Sequence, residues 1–443
     1  MTTASGDTIF ALSSAAGPAA VAVLRLSGPG AGEALRALTG KPLPEPRRAA
    51  LRILSDPATG ERLDQALVLW FAAPASETGE DTVELHLHGS PAVVEAVLDA
   101  LGRQPGLRPA EPGEFLRRGF LNGKLDLTAV EGLADLIAAE TPAQRRQALA
   151  QAAGALARRA AAWREALVAA LAELEAAIDF VEEDLPQGLV AHAVRRAVEV
   201  GDEIAAALAA APAGERLRQG LRVALLGAPN AGKSSLLNAL AGRPAAIVAA
   251  TPGTTRDVLE VPLHLDGLPV TLVDTAGLRA SDDAVEAEGV RRARAQAAAA
   301  DLRILLQDSS VCESAECFAE IDGPDCIRIA TKTDLAPAWH DPRALRLSVL
   351  SGEGMAALHS ELRQRLARLV WAGRGEAPLV TRSRQRAALE ETLAPLRRAA
   401  TGGAIELIAE ELRLALRGLG RLAGRVDVEE LLDRIFAEFC IGK

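Results

Sequence analysis

The segment Gly227–Ser234 reads GAPNAGKS, and it constrains the fold of this chain more than any other stretch of the sequence. It matches every fixed position of the phosphate-binding loop, Gly-x-x-x-x-Gly-Lys-Ser. The apolar run Leu221–Leu226 before it predicts a buried strand, and Ser235–Gly242 after it has helical spacing and ends on a glycine. The sequence therefore predicts the strand, loop and helix of a P-loop nucleotide site, placed in the middle of the chain.

The chemistry of such a loop assigns roles to two of its side chains. Backbone N–H groups wrap the phosphates, and the helix N-terminus adds partial positive charge at the same place. We expect the Lys233 ammonium to reach the β- and γ-phosphate oxygens, and the Ser234 hydroxyl to hold Mg²⁺.

The length of 443 residues predicts about three domains. No apolar run approaches the roughly 20 residues of a membrane span, and the N-terminal stretch MTTASGDTIFALSS lacks the basic and apolar regions of a signal peptide. The cysteines form no recognisable metal or disulfide framework: Cys312, Cys317, Cys326 and Cys440. We expect a cytoplasmic protein that does not enter a membrane.

The charge composition favours local rather than bulk electrostatic contacts. A net charge of −10 argues against a protein that coats nucleic acid, but it leaves room for a local basic patch. Arginine fills nearly all basic positions, so the lysines that remain mark candidate sites where a compact point charge is needed. These lysines are Lys41, Lys124, Lys233, Lys332 and Lys443.

Composition divides the chain into four segments. Residues 1–118 alternate apolar β-like runs with Gly/Pro punctuation, which predicts an α+β domain, and residues 119–213 are rich in Ala, Leu, Glu and Arg, which predicts helices. Residues 214–377 carry alternating strand and helix signals, and residues 378–443 are helical again. We expect a helical domain into which an α/β domain is inserted. Within the helical domain, the pattern of Pro142–Asp184 predicts one long helix, and Ala211–Gly214 marks the boundary before the inserted α/β domain.

Two further motifs follow the phosphate loop in the order typical of a GTPase. Val270–Gly277 is an apolar strand that ends in Asp-x-x-Gly, where Asp274 would support Mg²⁺ and the Gly277 N–H would face the γ-phosphate. Between the two lie Thr254 and Thr255, either of which can supply a hydroxyl to Mg²⁺ when triphosphate is bound. The three motifs together favour a GTPase over a generic nucleotide hydrolase.

A fourth motif addresses the base. Guanine selection normally comes from Asn-Lys-x-Asp after a strand, and this chain reads Thr331-Lys332-Thr333-Asp334. Asp334 can accept hydrogen bonds from the guanine N1–H and amino group, and Lys332 can lie along the base. Thr331 replaces the usual Asn, so one polar contact is altered while guanine preference is expected to survive. Ser348–Leu350 fits the last base-contacting loop.

The water-orienting glutamine of Ras-type GTPases is replaced here by Leu278, which cannot orient water by hydrogen bonding. Either hydrolysis is slow or another group takes over. Nearby acids could do so, although a solvated helix start is the favoured interpretation for all but one of them: Asp282, Asp283, Glu286 and Glu288. Asn230 could coordinate a monovalent cation beside the phosphates, which would replace the positive charge of an arginine finger.

Taken together, the motifs resemble one family, the MnmE (TrmE) family of tRNA-modification GTPases, over nearly the whole chain. Besides the nucleotide motifs, the resemblance rests on short segments throughout the sequence: Leu24–Gly28, Thr78–Asp81 with Glu84, His88–Gly89, Pro112–Phe115, Leu121–Asp126, Asp179–Glu183 and Cys440–Lys443.

The resemblance implies a homodimer formed through the N-terminal domain, which binds 5-formyl-tetrahydrofolate or a related one-carbon folate. The matching contacts are Arg25, Glu84 and Lys124, with Lys443 reaching over from the helical domain. From the residues alone, Arg25 could instead form an edge-strand salt bridge and Lys124 could be an ordinary turn residue. A metal site at His86 and His88 has little support.

The resemblance also implies that the nucleotide domains pair in a K⁺-dependent way. The K⁺ ligands would be Asn230, Ala249, Thr251 and Thr254, the Mg²⁺ ligands Ser234 and Thr255, and the catalytic residues Glu286, Lys233 and Cys440. Ala249 departs from the family, where threonine is frequent, and segment 308–326 is atypical. The implied GTP contacts are Asn230, Ala231, Gly232, Lys233, Ser234, Ser235, Ala249, Ala250, Thr251, Pro252, Gly253, Thr254, Thr255, Asp274, Thr275, Ala276, Gly277, Thr331, Lys332, Asp334, Ser348, Val349 and Leu350.

Family resemblance finally implies a partner and a reaction. With the flavoprotein MnmG, in an expected heterotetramer, the family adds a carboxymethylaminomethyl or aminomethyl group to C5 of the wobble uridine of certain tRNAs. Contact with tRNA would use local arginine clusters or the partner. Two alternatives remain open at this point: a ribosome-assembly GTPase of the Era or Der type, which should carry a KH or second G domain, and a non-catalytic folate-binding scaffold.

Overall fold

The structure is a computed structural model. It describes residues 6–179, 188–228, 230–242, 259–274, 295–311, 323–335, 341–371 and 378–424, with residues 432, 435, 436, 439 and 442. The chain divides into two compact units, one built from Met1–Ala134, Gln151–Ala176 and Ala409–Lys443, the other from Asp135–Ala150 and Ala177–Ile408. The four-segment division made from composition stays a prediction.

The first unit contains a six-stranded sheet. Its strands are β1 (Thr8–Leu12), β2 (Ala19–Ser27), β3 (Ala50–Ser55), β4 (Arg62–Phe71), β5 (Thr82–Gly89) and β6 (Leu107–Pro109). Their order is β3-β4-β5-β2-β1-β6, and neighbours are antiparallel except β1 and β6, which are parallel. The apolar β-like runs predicted within residues 1–118 are confirmed, for example at β2, β4 and β5.

Helices α1 (Ala31–Thr39) and α2 (Pro91–Gly102) supply apolar side chains to the core of this sheet. Because successive side chains of a strand point to opposite faces, one set of strand residues is buried in this core, including Leu24, Leu54, Val68 and Leu85. The other set leaves apolar side chains exposed on the opposite face: Val21, Leu51, Ile53 and Leu67.

Helices follow the sheet: α3 (Glu114–Leu121), α4 (Leu127–Ala138), α5 (Pro142–Ala152) and α6 (Ala155–Asp179). The single long helix predicted over Pro142–Asp184 is wrong in the described part, because the chain breaks between α5 and α6. Gly154 adopts φ +78°, and its N–H donates to the Gln151 carbonyl to close the turn. Residues 180–184 of that prediction lie outside the described residues.

The second unit contains a mostly parallel sheet. Its strands are β7 (Leu221–Gly227), β8 (Leu259–Leu265), β9 (Leu268–Asp274), β10 (Leu302–Asp308), β11 (Cys326–Thr331) and β12 (Leu345–Arg346). Their order is β12-β11-β10-β7-β9-β8, and only the β8–β9 hairpin is antiparallel. Strands β7, β9 and β11 confirm three strands predicted from apolar runs.

Further helices in the described ranges include α7 (Leu189–Gln219), α8 (Lys233–Ala241), α9 (Met355–Trp371), α10 (Ser383–Ala400) and α11 (Ile405–Leu422). Helix α8 ends at Gly242, which adopts φ +66°, so the predicted stop is confirmed. The segment Ala211–Gly214 does not interrupt the secondary structure, since α7 continues through Pro212 to Gln219. The structural reason is packing: a Cβ on Gly214 would lie 2.1 Å from the Val380 carbonyl oxygen.

Helices α7 and α10 contact each other, and Gly201 of α7 faces Leu393 and Leu396 of α10. Elements before and after the α/β sheet therefore pack together within this unit. Among the described residues, no helix has both the length and the apolar content needed to cross a membrane.

Candidate functional site

The phosphate loop connects β7 to α8, as the sequence predicts. Asn230 and Gly232 adopt φ of +64° and +95°, which turns the chain sharply before the helix begins at Lys233. At Gly227 the loop lies close to β10, because a Cβ there would stand 2.3 Å from the Leu306 carbonyl oxygen. A side chain at position 227 would therefore push the loop away from the neighbouring strand.

Lys233 lies across its own loop. Its Nζ donates hydrogen bonds to the carbonyl oxygens of Gly227 (2.7 Å) and Ala228 (2.6 Å), and the residue is buried. The ammonium is thus held over the concave side of the loop, where a phosphate would meet it. A lysine suits this position because its charge is compact and carries three donors.

Ser234 and Asp274 form a pair of oxygen-bearing side chains beside the phosphate loop. Strands β7 and β9 are parallel, with Leu225 opposite Asp274, so the end of β9 lies beside the start of the loop. The Ser234 hydroxyl donates to Asp274 Oδ2 at 3.3 Å, and Asp274 is buried. A hydroxyl and a carboxylate are hard oxygen ligands of the kind that Mg²⁺ prefers, so the pair fits the metal predicted here.

The base side of the site lies at the ends of β10 and β11. Thr331 is buried, and its hydroxyl lies 2.8 Å from the Ala231 carbonyl oxygen in the phosphate loop and 3.1 Å from that of Gln307. The parallel strands bring these ends together at the same edge as Gly227. Asp334 is exposed beyond the strand, where its carboxylate is accessible to a ligand.

Lys332 has a partner that the sequence analysis missed. Its Nζ forms a 2.6 Å ion pair with Asp308 Oδ2, and its backbone adopts φ +56°. Burial opposes ionisation of Asp308, but hydrogen bonds from Lys332 and Ser310 outweigh it and lower the pKa of the carboxyl. An aspartate at the end of an apolar strand, beside the predicted base-binding strand, was the available signal.

The loop at Ser348–Leu350 lies next to the base motif. The Leu347 N–H donates to the Ala330 carbonyl at 2.9 Å, and the Thr333 hydroxyl donates to Glu353 Oε2 at 2.8 Å. Ser348 is buried and Leu350 is 90% exposed. The structure therefore brings together the phosphate loop, Asp274, the Thr331–Asp334 motif and Ser348–Leu350, as the sequence predicts.

Several predicted site residues lie outside the described residues. They are Ala249, Ala250, Thr251, Pro252, Gly253, Thr254, Thr255, Thr275, Ala276, Gly277, Leu278, Asp282, Asp283, Glu286, Glu288, Cys440 and Lys443. The roles predicted for them stay predictions.

A second cluster of charged residues lies in the first unit around Arg25. Strand β2 is interior to the sheet, so the edge-strand interpretation of Arg25 is wrong, although a salt bridge does form. The register places Arg25 opposite Glu84, and the guanidinium bonds Glu84 Oε1 (2.9 Å) and Glu77 Oε2 (2.9 Å). It also lies 5.9 Å from the centre of the Phe115 ring. Sequence reasoning missed Glu77, which is next to the Thr78–Asp81 motif.

Lys124 approaches this cluster through one loop. Asn122 donates to the Thr78 carbonyl oxygen at 2.8 Å, and the Lys124 Cε lies 3.4 Å from where a Cβ on Gly79 would stand. The 122–124 turn therefore lies against the same loop that carries Glu77 to Arg25. Lys124 itself is exposed.

The C-terminal end of the chain approaches the same sheet. The Ser13 hydroxyl donates to the Gly442 carbonyl oxygen at 2.8 Å, and a Cβ on Gly442 would stand 2.1 Å from the Leu12 carbonyl oxygen. Leu12 pairs with Leu24, the neighbour of Arg25. Gly442, which precedes Lys443 in the sequence, thus contacts the end of the strand that pairs with β2.

Arg118 is the centre of an ion network that includes Glu80, in the loop that also carries Glu77. Arg118 is buried and bonds Glu80 Oε2 (3.1 Å), Glu114 Oε1 (3.0 Å) and Asp7 Oδ1 (2.9 Å). Burial opposes ionisation of Glu114, but hydrogen bonds from Arg108 and Arg118 and from the Glu111 N–H lower its pKa. Sequence reasoning missed this network, because its members are far apart along the chain.

The histidines of β5 each lie within contact distance of a carboxylate. His88 bonds Asp64 at 2.7 Å, and His86 lies 3.4 Å from Glu84. Within the described ranges, no group of three or more His, Cys, Asp or Glu side chains could hold a metal ion.

Comparison with known proteins assigns both units to one family. Residues 8–124 match the model of the GTP-binding protein TrmE N-terminus, and residues 127–440 match that of the MnmE helical domain. The tRNA modification GTPase MnmE of Rhodospirillum rubrum is 54% identical over 456 residues, covering 99% of each chain. That of Methylobacterium sp. (strain 4-46) is 56% identical over 445 residues, covering 99% of this chain and 100% of the relative.

Solved structures with a similar region include the G domain of the T. maritima FeoB iron transporter, which is 28% identical and covers 34% of this chain and 98% of its own, with a TM-score of 0.26. The family models and full-length relatives decide the assignment. The chain belongs to the MnmE (TrmE) family of tRNA modification GTPases.

Proposed function

We propose that this chain hydrolyses GTP with Mg²⁺ and, together with a flavoprotein partner, modifies C5 of the wobble uridine in certain tRNAs. The observation that carries the proposal is the convergence of Lys233, Ser234, Asp274 and the Thr331–Asp334 motif at one edge of the parallel sheet. That edge carries a phosphate-binding loop, a hard-oxygen pair for Mg²⁺ and a carboxylate for the guanine donors.

Each residue of the nucleotide site is proposed to have a separate role in GTP hydrolysis. Lys233 and the loop N–H groups would neutralise charge on the β- and γ-phosphates, and Ser234 and Thr255 would hold Mg²⁺, which supplies further positive charge there when it is bound. Asp274 orients the serine hydroxyl through the bond seen in the structure. Glu286 would position the attacking water, and the remaining contacts to GTP would come from residues 249–255 and 275–277.

Hydrolysis is proposed to depend on K⁺ and on pairing of two nucleotide domains. Leu278 cannot orient a water molecule, so the site needs another source of transition-state stabilisation. Asn230 is exposed on the loop with φ +64°, which makes its side chain accessible to a cation beside the phosphates. Carbonyls of Ala249, Thr251 and Thr254 would complete the K⁺ shell.

The test compares GTP hydrolysis in K⁺ and Na⁺ at equal ionic strength. We expect hydrolysis at least about tenfold faster in K⁺, because the cation supplies charge that an arginine finger supplies elsewhere. Asn230→Ala should remove the difference between the two salts, whereas Asn238→Ala, an exposed residue of helix α8, should keep it. Equal rates in both salts for the unaltered protein would contradict the cation-dependent site.

The folate site is proposed at Arg25, Glu84 and Lys124. The guanidinium and the lysine ammonium would hold the anionic ligand, and Glu84 would accept hydrogen bonds from its pterin ring. Support comes from the Arg25–Glu84 pair, from the 122–124 turn on the same loop, and from the contact of Gly442 with Ser13 and Leu12 at the end of the strand next to β2. Lys443 and Cys440 would act here on the one-carbon unit.

The homodimer is proposed to form through the N-terminal domain. Val21, Leu51, Ile53 and Leu67 expose apolar side chains on one face of the sheet, at 46% to 56% of their full area. Exposed apolar side chains grouped on one face of a sheet mark an interaction surface. The flavoprotein MnmG would join this dimer as a heterotetramer in the cytoplasm, and tRNA would contact exposed arginines such as Arg145, Arg146 and Arg158.

A further inference from the structure

Thr331 occupies the position at which the guanine motif normally has an asparagine. Its hydroxyl oxygen lies 2.8 Å from the Ala231 carbonyl oxygen and 3.1 Å from the Gln307 carbonyl oxygen, and both residues are buried with it. Its Cβ, Cγ2 and Oγ1 also lie 3.9 Å from where a Cβ on Gly232 would stand. Thr331 therefore packs directly on the phosphate loop.

The hydrogen-bond accounting at this hydroxyl has one solution. A threonine hydroxyl has a single proton and a carbonyl oxygen can only accept, so the proton is committed to a backbone carbonyl, and the shorter of the two contacts assigns it to Ala231. What remains are lone pairs. The base edge formed by guanine N7 and O6 consists of acceptors, which lone pairs cannot satisfy.

An asparagine would not face this restriction. Its amide nitrogen carries two protons, so it can donate one to a loop carbonyl and the other to the purine. With Thr331 in place, the bond to the phosphate loop is kept and the donor toward the base is missing.

We propose that Thr331 ties the base-binding strand to the phosphate loop without reading guanine N7, so that the choice of base rests on its donor edge, recognised by Asp334. The inference rests on the proposed function, in which this site binds guanine nucleotides. Its consequence is a difference in ligand tolerance: a nucleotide that lacks N7 but keeps N1–H and the amino group fits this chain as well as guanosine nucleotide does.

The experiment measures the dissociation constants of GDP and 7-deaza-GDP, in which C–H replaces N7, by calorimetric titration of the full chain. We expect the two constants to agree within about twofold for the unaltered protein. Thr331→Asn should restore the missing donor and favour GDP over 7-deaza-GDP by about three- to tenfold, the range of one neutral hydrogen bond.

Two further variants test the tie to the loop. Thr331→Val keeps the shape but leaves the Ala231 carbonyl without its donor, so affinity for both nucleotides should fall by about threefold or more while their ratio stays near one. Thr331→Ser keeps the hydroxyl and is the matched control, with both affinities close to those of the unaltered protein.

Each result has a definite meaning. A threefold or greater preference of the unaltered protein for GDP would overturn the inference, and this measurement does not depend on any variant folding. Absence of discrimination in Thr331→Asn, or unchanged affinities in Thr331→Val, would also overturn it. Failure of the unaltered protein to bind either nucleotide would instead overturn the proposed function, and the inference with it.

Discussion

At the scale of single residues, two cations of the proposed sites are held by carboxylates of the same unit. Arg25 is bonded by Glu77 and Glu84, and Lys332 is bonded by Asp308. Each ion pair restrains the cationic side chain that takes part in it. At Arg25, an arriving anion would exchange for a carboxylate rather than capture a freely rotating side chain, which lowers the entropy lost on binding.

The first prediction at this scale concerns Lys124. Replacing it with alanine should weaken binding of 5-formyl-tetrahydrofolate by about tenfold or more, because a charge-assisted hydrogen bond to the anionic ligand is lost. Equilibrium titration followed by ligand absorbance measures the change. Lys41→Ala, an exposed lysine of the same unit, should leave the affinity unaltered. Unchanged affinity in Lys124→Ala would remove this residue from the site.

Residues that belong to local motifs were predictable, and residues brought in by the fold were not. Lys233, Ser234 and Asp274 could be placed from sequence because a phosphate loop follows a strand and parallel strands end at one edge. Asp308 and Glu77 depend on which strand lies beside which and on where a loop returns. Neither the strand order nor the path of the loop can be predicted from the spacing of residues in a local segment.

At the scale of elements, helix α7 shows where sequence patterns mislead. The Ala-Pro-Ala-Gly stretch has the composition of a break, yet the helix continues through it to Gln219. Proline and glycine carry a helix penalty of about 3 and 1 kcal/mol, which tertiary packing can override. Here Gly214 lets the backbone of α7 approach Val380, and only a residue without a side chain permits that contact.

The same element yields a stability prediction. Gly214→Ala should destabilise the second unit by about 2–3 kcal/mol, because its Cβ would stand 2.1 Å from a backbone oxygen that cannot move aside cheaply. The matched control is Gly201→Ala on the same helix, where the nearest heavy atom is 3.7 Å away. That change should be neutral or stabilise by about 0.5–1 kcal/mol, since alanine favours helix. Calorimetric unfolding measures both.

Two outcomes would contradict this account of α7. One is a Gly214→Ala protein that unfolds at the temperature of the unaltered protein. The other is equal destabilisation by both substitutions, which would mean that the loss is general to glycine positions on this helix rather than specific to the contact with Val380.

The break between α5 and α6 was missed for a related reason. Apolar positions continue on both sides of Gly154, and a single glycine inside a helical pattern is tolerated at about 1 kcal/mol. The break is decided by packing instead: a Cβ on Gly132 would stand 2.4 Å from the Ala152 nitrogen, so α4 crosses close to the end of α5. Such contacts between helices leave no signal in the local sequence.

At the scale of the whole molecule, the fold class could be predicted from the sequence. Which segments pack together could be predicted only in part. The alternation of strands and helices around the phosphate loop predicted the α/β sheet, and helical composition before and after it predicted that the two parts meet, as α7 and α10 do. The alternative of an Era- or Der-type ribosome-assembly GTPase lacks the TrmE N-terminal and MnmE helical domains that this chain matches.

The central claim is that nucleotide hydrolysis in this chain serves the modification of tRNA. It is tested most directly by nucleoside analysis of bulk tRNA from a strain in which the gene is deleted. We predict loss of the C5-modified wobble uridine, restored by the unaltered gene and by Lys41→Ala but not by Lys233→Ala, which removes the ammonium from the phosphate loop. Normal modification in the deletion strain, or full restoration by Lys233→Ala, would contradict the account.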